Sequence, residues 1–441
     1  MNNLNFREVA DDIGQTLFSP GKSYYITMGI LFIILMNGIG CWIYQIYTGI
    51  GVSGLNHPVG WGVYITNFVF WVGIAHCGTL ISAILYLIRV KWRTSIFRTA
   101  EAMTLFAVMT AGLFPLIHMG RVWNFYWMMP YPNQRLLWVN FRSPLVWDVF
   151  AVSTYITVSF LFLFLGMIPD NAVLRDRTKG LRHFFHKIFS FGWRGTNQQW
   201  LHFHSAYLFL AALVTPLVIS VHSVVSWDFA MTIVPGWHST IFAPYFVAGA
   251  IFSGCALVVM LLIPLRNFFH LEKYITEWHF DNLGKIILFT SLIITYSYII
   301  EPFIAWYSGS IFEKGAFSYR TFGNYSTLFW LMVFGNCLFP LLLWFKKFRT
   351  HLGWIFTICI FVNVGMWLER FIIIVTSLAH EYDPYSWGTY TPSWVEIGIT
   401  AGAFSWFFLW FLLFVKLFPS VAIVEIKEQL PIPLMEVQKG Q

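Results

Sequence analysis

Ten stretches of mostly apolar residues recur along this 441-residue chain, and each is long enough to cross a bilayer as a helix, which takes roughly 20 residues. They run over Tyr24–Thr48, Gly62–Ile88, Ala100–Met119, Pro144–Ile168, His204–Val225, Ile241–Leu265, Leu283–Trp306, Ser326–Phe345, Leu352–Leu378 and Ser393–Phe418. With 58% hydrophobic and only 11% charged residues, the remainder is too small and too apolar to form soluble domains around them. The expected fold class is an all-α integral membrane protein of about ten transmembrane helices.

Orientation follows from Lys and Arg, which concentrate in cytoplasmic loops. Twenty-one of the 27 lie on the side of the N-terminus, five on the opposite side, and Arg370 inside a span. Both termini are therefore expected in the cytoplasm, with residues 1–23 a retained leader and not a cleaved signal. The net charge of +7 is explained by this topology and by anionic lipid, and points to no nucleic acid. Cys41, Cys77, Cys255, Cys337 and Cys359 all fall within spans at spacings that suit packing better than zinc or an iron-sulfur cluster.

The spans from residue 24 to 418 divide by count into two four-helix bundles, 62–225 and 241–378, with the first and last spans peripheral. Two loops are long. The inner one, Pro169–Gln199, is basic and suits lipid headgroups; the outer one, Gly120–Ser143, is aromatic and Pro-rich and is expected to form a compact cap. The tail from Pro419 carries no expected chemistry.

Ionisable side chains in a bilayer are costly and tend to mark a pathway or a site. Most here lie towards the outer face. His118 and Arg121 are three apart and share a face if the third helix continues that far, and the outer turn of the fourth span brings Asp148 alongside. A histidine, an arginine and a carboxylate at an aromatic interface suit a quinone headgroup, with histidine bonding one oxygen and a partly desolvated Asp148 serving as base. An ion pair anchoring helix ends is the plain alternative. Glu369 and Arg370 are adjacent, point about 100° apart on a helix, and each calls for another partner. His76, His204 and His222 are placed at the middle, inner end and outer end of their spans, a mismatch in depth that disfavours haem ligation. Asp228, Glu301 and Glu396 are expected to be solvated at helix ends.

Four runs, HMGRVW (His118–Trp123), SPLVWDVFAVSTY (Ser143–Tyr155), WDFAMTIVPGWHSTIFAPYFVAGAIFSG (Trp227–Gly254) and LERFIIIVTSL (Leu368–Leu378), together resemble the NrfD-like membrane subunits related to the polysulfide reductase anchor. The likeness is greatest to the ActC-type subunit of bacterial alternative complex III, with the ActF-type sister as the nearest confusion. The resemblance implies a haem-free ten-helix subunit in a bacterial inner membrane. It implies oxidation of menaquinol near the periplasmic face beside an iron-sulfur partner, in a complex that also holds a homologous NrfD-like subunit and cytochrome c subunits. His118 and Asp148 match the quinol-contacting pair, with Arg121, Asp228 and Arg370 around the same pocket. His76, Tyr155, His204, His222 and Glu369 are the candidates for proton transfer. A transporter using the same charges, or a structural anchor without its own quinol site, stands as the alternative.

Overall fold

In a computed structural model, the described residues, 6–18, 21–129 and 141–430, are helical wherever they cross the apolar layer. Lipid offers no hydrogen bonds to a bare backbone, and helices satisfy theirs internally. Among the described residues, ten helices are long and apolar enough to span: Lys22–Thr48, Val63–Leu87, Phe97–His118, Pro144–Arg175, Asn197–Ala230, Phe242–Phe268, Glu277–Tyr307, Ser326–Trp344, Leu352–Ala379 and Trp394–Leu417. The protein is a multi-pass membrane protein.

Spans two to five pack neighbour to neighbour in a closed ring, and spans six to nine in a second. The second and sixth spans, the most buried, join the two rings, and the first span packs on the tenth. Three spans contain a π-helical turn, at Leu80–Ile84, Phe334–Leu338 and Ile372–Thr376. Such a turn frees backbone carbonyls for other donors. Thus Trp237 Nε1 donates to Ile373 O at 2.6 Å, and Ser291 Oγ to Asn336 O at 2.8 Å.

An even number of spans places both ends of the chain on one face, here termed the terminal face. An amphipathic helix, Phe6–Phe18, buries Val9, Ala10, Ile13 and Leu17 there beside a C-terminal helix, Ile423–Glu428. As far as residue 430 the tail is therefore structured and packed on the membrane domain. Glu425 pairs with Arg93 at 2.5 Å, Val424 N donates to Asp170 at 2.9 Å, and Gln429 donates to Lys91 O and Thr94. The long basic loop is mostly helix as well. The fourth span runs through Pro169 to Arg175, the fifth starts at Asn197, and a short helix, Leu181–Phe189, lies between them. Of the aromatic cap, residues 130–140 lie outside the described residues. Its first part is a 3-10 helix, Val122–Met128, with Trp123 and Trp127 exposed.

Candidate functional site

The buried ionisable groups away from the terminal face fall into several groups. His118 is the last residue of the third span. Gly120 takes a positive φ of 72° that ends the helix, so Arg121 leaves its face and is exposed; the two do not form the expected pair. The histidine instead stands edge-on to Tyr64, with ring centroids 6.5 Å apart. Tyr64 donates to the fully buried Gln45 of the first span, whose amide donates to Ile117 O at 3.0 Å. Nδ1 of His118 is buried without a hydrogen-bond partner.

Asp148 makes no hydrogen bond or ion pair to His118 among the described residues, against the expected convergence. Its carboxyl group instead stands beside that of Asp228 on the fifth span, close enough for the two to interact. Asp228 is only 7% exposed, not solvated, because the fifth helix continues five residues past Val225 and carries it into the packed region. Each aspartate keeps one buried oxygen, Oδ1, without a partner. Trp147 and Trp227, the residues preceding them, meet edge to face at 6.1 Å and wall the pair.

Deeper in the first ring His76 and His222 lie with ring centroids 4.7 Å apart, so these two histidines do meet at one depth. The extra helical turns of the fifth span again account for the difference. Tyr155 stacks on His76 at 4.7 Å and 5°. Its hydroxyl donates to Ala75 O at 2.8 Å and bonds Thr79 at 2.7 Å. His76 Nδ1 donates to Val72 O, which leaves Nε2 as a free acceptor. Both ring nitrogens of His222 also lack partners. His204 is not part of this cluster. It is half exposed at the terminal face, 4.0 Å from Glu428.

Glu369 and Arg370 stand beside the histidines at the junction of the two rings. Arg370 lies over the Phe246 ring at 4.1 Å, and Phe246 in turn contacts His222. Contrary to the adjacency argument, the long guanidinium arm folds back to within 3.0 Å of Glu369. Glu369 also accepts from Tyr298 at 2.5 Å, and Tyr298 accepts from Asn336 at 2.8 Å. Glu301 and Glu396, expected to be solvated, are buried too. A helix over Ile311–Phe322 covers Glu301 and brings Arg320 to 4.0 Å from it. Glu396 caps its own helix, accepting from Ser393 N and Gly54 N and from the Tyr390 hydroxyl.

A further buried network was not indicated by the spacing of charges along the sequence. Near the terminal face Arg98 bridges Glu101 at 3.2 Å and Asp170 at 3.0 Å, and Tyr207 donates to Glu101 at 3.2 Å. A glutamate two residues inside the expected third span is the signal that could have found it. On the membrane surface beside it, burial lifts Glu425 to about 7, against Arg93 and Arg98, which pull it down.

Among known proteins, the family model described as "Polysulphide reductase, NrfD" matches residues 51–380. The chain is similar to a putative membrane subunit of a dimethyl sulfoxide reductase from Halobacterium salinarum, 27% identical over 86% of this chain and 87% of the relative. It is similar to a selenate reductase subunit of Mesobacillus selenatarsenatis, at 25% over 73% and 74%. It is also similar to an Hdr-like menaquinol oxidoreductase integral membrane subunit of Archaeoglobus fulgidus, at 21% over 91% and 95%.

Proposed function

The chain belongs to the polysulphide reductase NrfD family, and from that premise we propose that it is the quinol-oxidising membrane subunit of a multi-subunit oxidoreductase. The observation that carries the reading is the set of buried, unpartnered polar atoms at the opposite face: Asp148 Oδ1, Asp228 Oδ1 and His118 Nδ1. A buried polar group without a partner costs free energy, so such a set calls for a ligand that supplies hydrogen bonds. Quinol hydroxyls do so, while the surrounding aromatic rings accept the apolar ring.

Two carboxyl groups in contact hold a proton between them, because two adjacent buried charges repel. On this account the pair is a base that accepts one quinol proton and passes it outward before the second leaves, and His118 orients the headgroup from the third span. The quinol loses two electrons and two protons and becomes quinone. An iron-sulfur cluster of a partner on the periplasmic side would take up the electrons. His76, Tyr155, His222, Glu369 and Arg370 continue the polar series inward from the site and are the groups through which proton movement would couple to turnover; His204 stands apart at the cytoplasmic surface. The relative named as a menaquinol oxidoreductase subunit supports menaquinol as the donor.

The relatives named as dimethyl sulfoxide and selenate reductase subunits favour a second version, in which the electrons go to a terminal reductase and not to the cytochrome c subunits of an alternative complex III. The site chemistry is the same in both.

Quinol oxidation by the purified complex carrying Asp148→Asn tests the reading, with the composition of the complex checked by gel. Turnover is expected to fall by about 10²-fold or more, the usual contribution of a positioned base, in a complex that keeps all its chains. Unchanged turnover in an intact complex would place the site elsewhere and leave this chain an anchor.

A further inference from the structure

The second ring carries a small cavity outside the candidate quinol pocket, apolar over most of its wall but with Glu301, Arg320, Glu369 and Tyr298 facing it. It has a volume of about 50 Å³ and is walled by Tyr298, Glu301, Arg320, Met332 and Glu369. The groups around it are paired incompletely. Glu301 Oε2 stands 4.0 Å from Arg320 Nη1, beyond hydrogen-bond reach, and Glu301 Oε1 has no partner. Glu369 Oε1 lies close to Arg370 without hydrogen-bond geometry. Arg320 is held rigidly by its other nitrogens, which donate to Thr376 at 3.0 Å, Ser377 at 2.6 Å and Gly236 O at 3.0 Å, so it cannot move in to close the gap. Thr376 itself belongs to the π-helical turn that follows Glu369.

We propose that this cavity is a built water site that bridges the Glu301–Arg320 pair to Glu369 and Tyr298. The occupant must accept from a guanidinium and donate to two carboxyl groups, which water does and a cation does not, and the two arginines already balance the two glutamates in charge. A gap of 4.0 Å between charged partners is the distance a bridging water spans. A cavity needs about 10–15 Å³ to admit a water, so this volume admits at least one and a small cluster at most. Thr321 and Phe317, both half-buried, line the cavity from the helix that covers Glu301, so on this proposal water gives Glu369 a route outward that is independent of Asp148 and Asp228.

X-ray radiolytic labelling of the intact complex reads this without turnover, so its outcome is separate from that of the quinol assay. Hydroxyl radicals form at bound water and oxidise its neighbours. Met332 and Met103 are both buried, at 4% and 0% exposure, and only Met332 lines the cavity. Met332 is expected to be oxidised several-fold faster than Met103. Glu301→Gln, which keeps the polar atoms, is expected to retain that excess, and Glu301→Leu to lose it. Equal rates at the two methionines in the unmodified complex would overturn the proposal, as would an excess that survives Glu301→Leu.

Discussion

At the scale of single residues, what matters is which buried groups are satisfied within the chain and which are not. Glu396 has three donors and is a cap; Asp148 and Asp228 have each other and an oxygen to spare. Glu396→Gln should therefore weaken folding while leaving quinol affinity intact in whatever complex assembles, and Asp228→Asn should cut turnover about as far as Asp148→Asn, since either change breaks the same pair. Comparing KM with kcat for the three variants checks this. Glu425 makes a pH prediction. Its carboxyl, lifted from 4.5 to about 7, binds more protons in the docked state than when free, so docking loses stability as pH rises across that interval. Amide exchange in residues 423–428, corrected for intrinsic rates, should show protection falling as pH rises through that interval, and Glu425→Gln should flatten the dependence.

At the scale of helices, the apolar runs locate all ten spans, because a lipid-facing helix needs apolar residues along its whole length. The same signal misplaces helix ends. Pro169 lacks an N–H and reads as a boundary, yet the fourth helix passes through it, since in a membrane protein packed neighbours support a proline inside a span. Asp228 and His222 read as peripheral because charge and polarity end an apolar run, whereas the fifth helix carries both inward. The Arg98, Glu101 and Asp170 network escapes for a related reason. Its members lie at the ends of two different spans and neutralise each other only after those helices pack. Arg98→Ala removes the cation that bridges two buried carboxylates, and a loss of about 3–5 kcal/mol is expected for breaking such a pair. Thermal denaturation of the detergent-solubilised complex measures it.

At the scale of the molecule, the helices Phe6–Phe18 and Ile423–Glu428 pack on one face, as ten spans require, and the charge asymmetry of the loops is what assigns that face to the cytoplasm as a proposal. Lys187→Cys, exposed on the terminal face, should react with an impermeant thiol reagent only after cells are opened. Tyr385→Cys, fully exposed on the opposite face, should react in intact cells once any outer barrier is permeabilised. The reverse pattern would put the candidate quinol site on the cytoplasmic side. The burial of Asp148 near a helix end could be read from the sequence, but its neighbour Asp228 could not, because contact between the fourth and fifth spans depends on where each helix ends. The most direct test of the quinol site is a density map of the intact complex with a quinone analogue bound. The headgroup is predicted at the opposite face, with an oxygen at hydrogen-bonding distance from Asp148 or Asp228. A headgroup bound on the terminal face or within another subunit, with the two carboxyl groups still in contact only with each other, would contradict it.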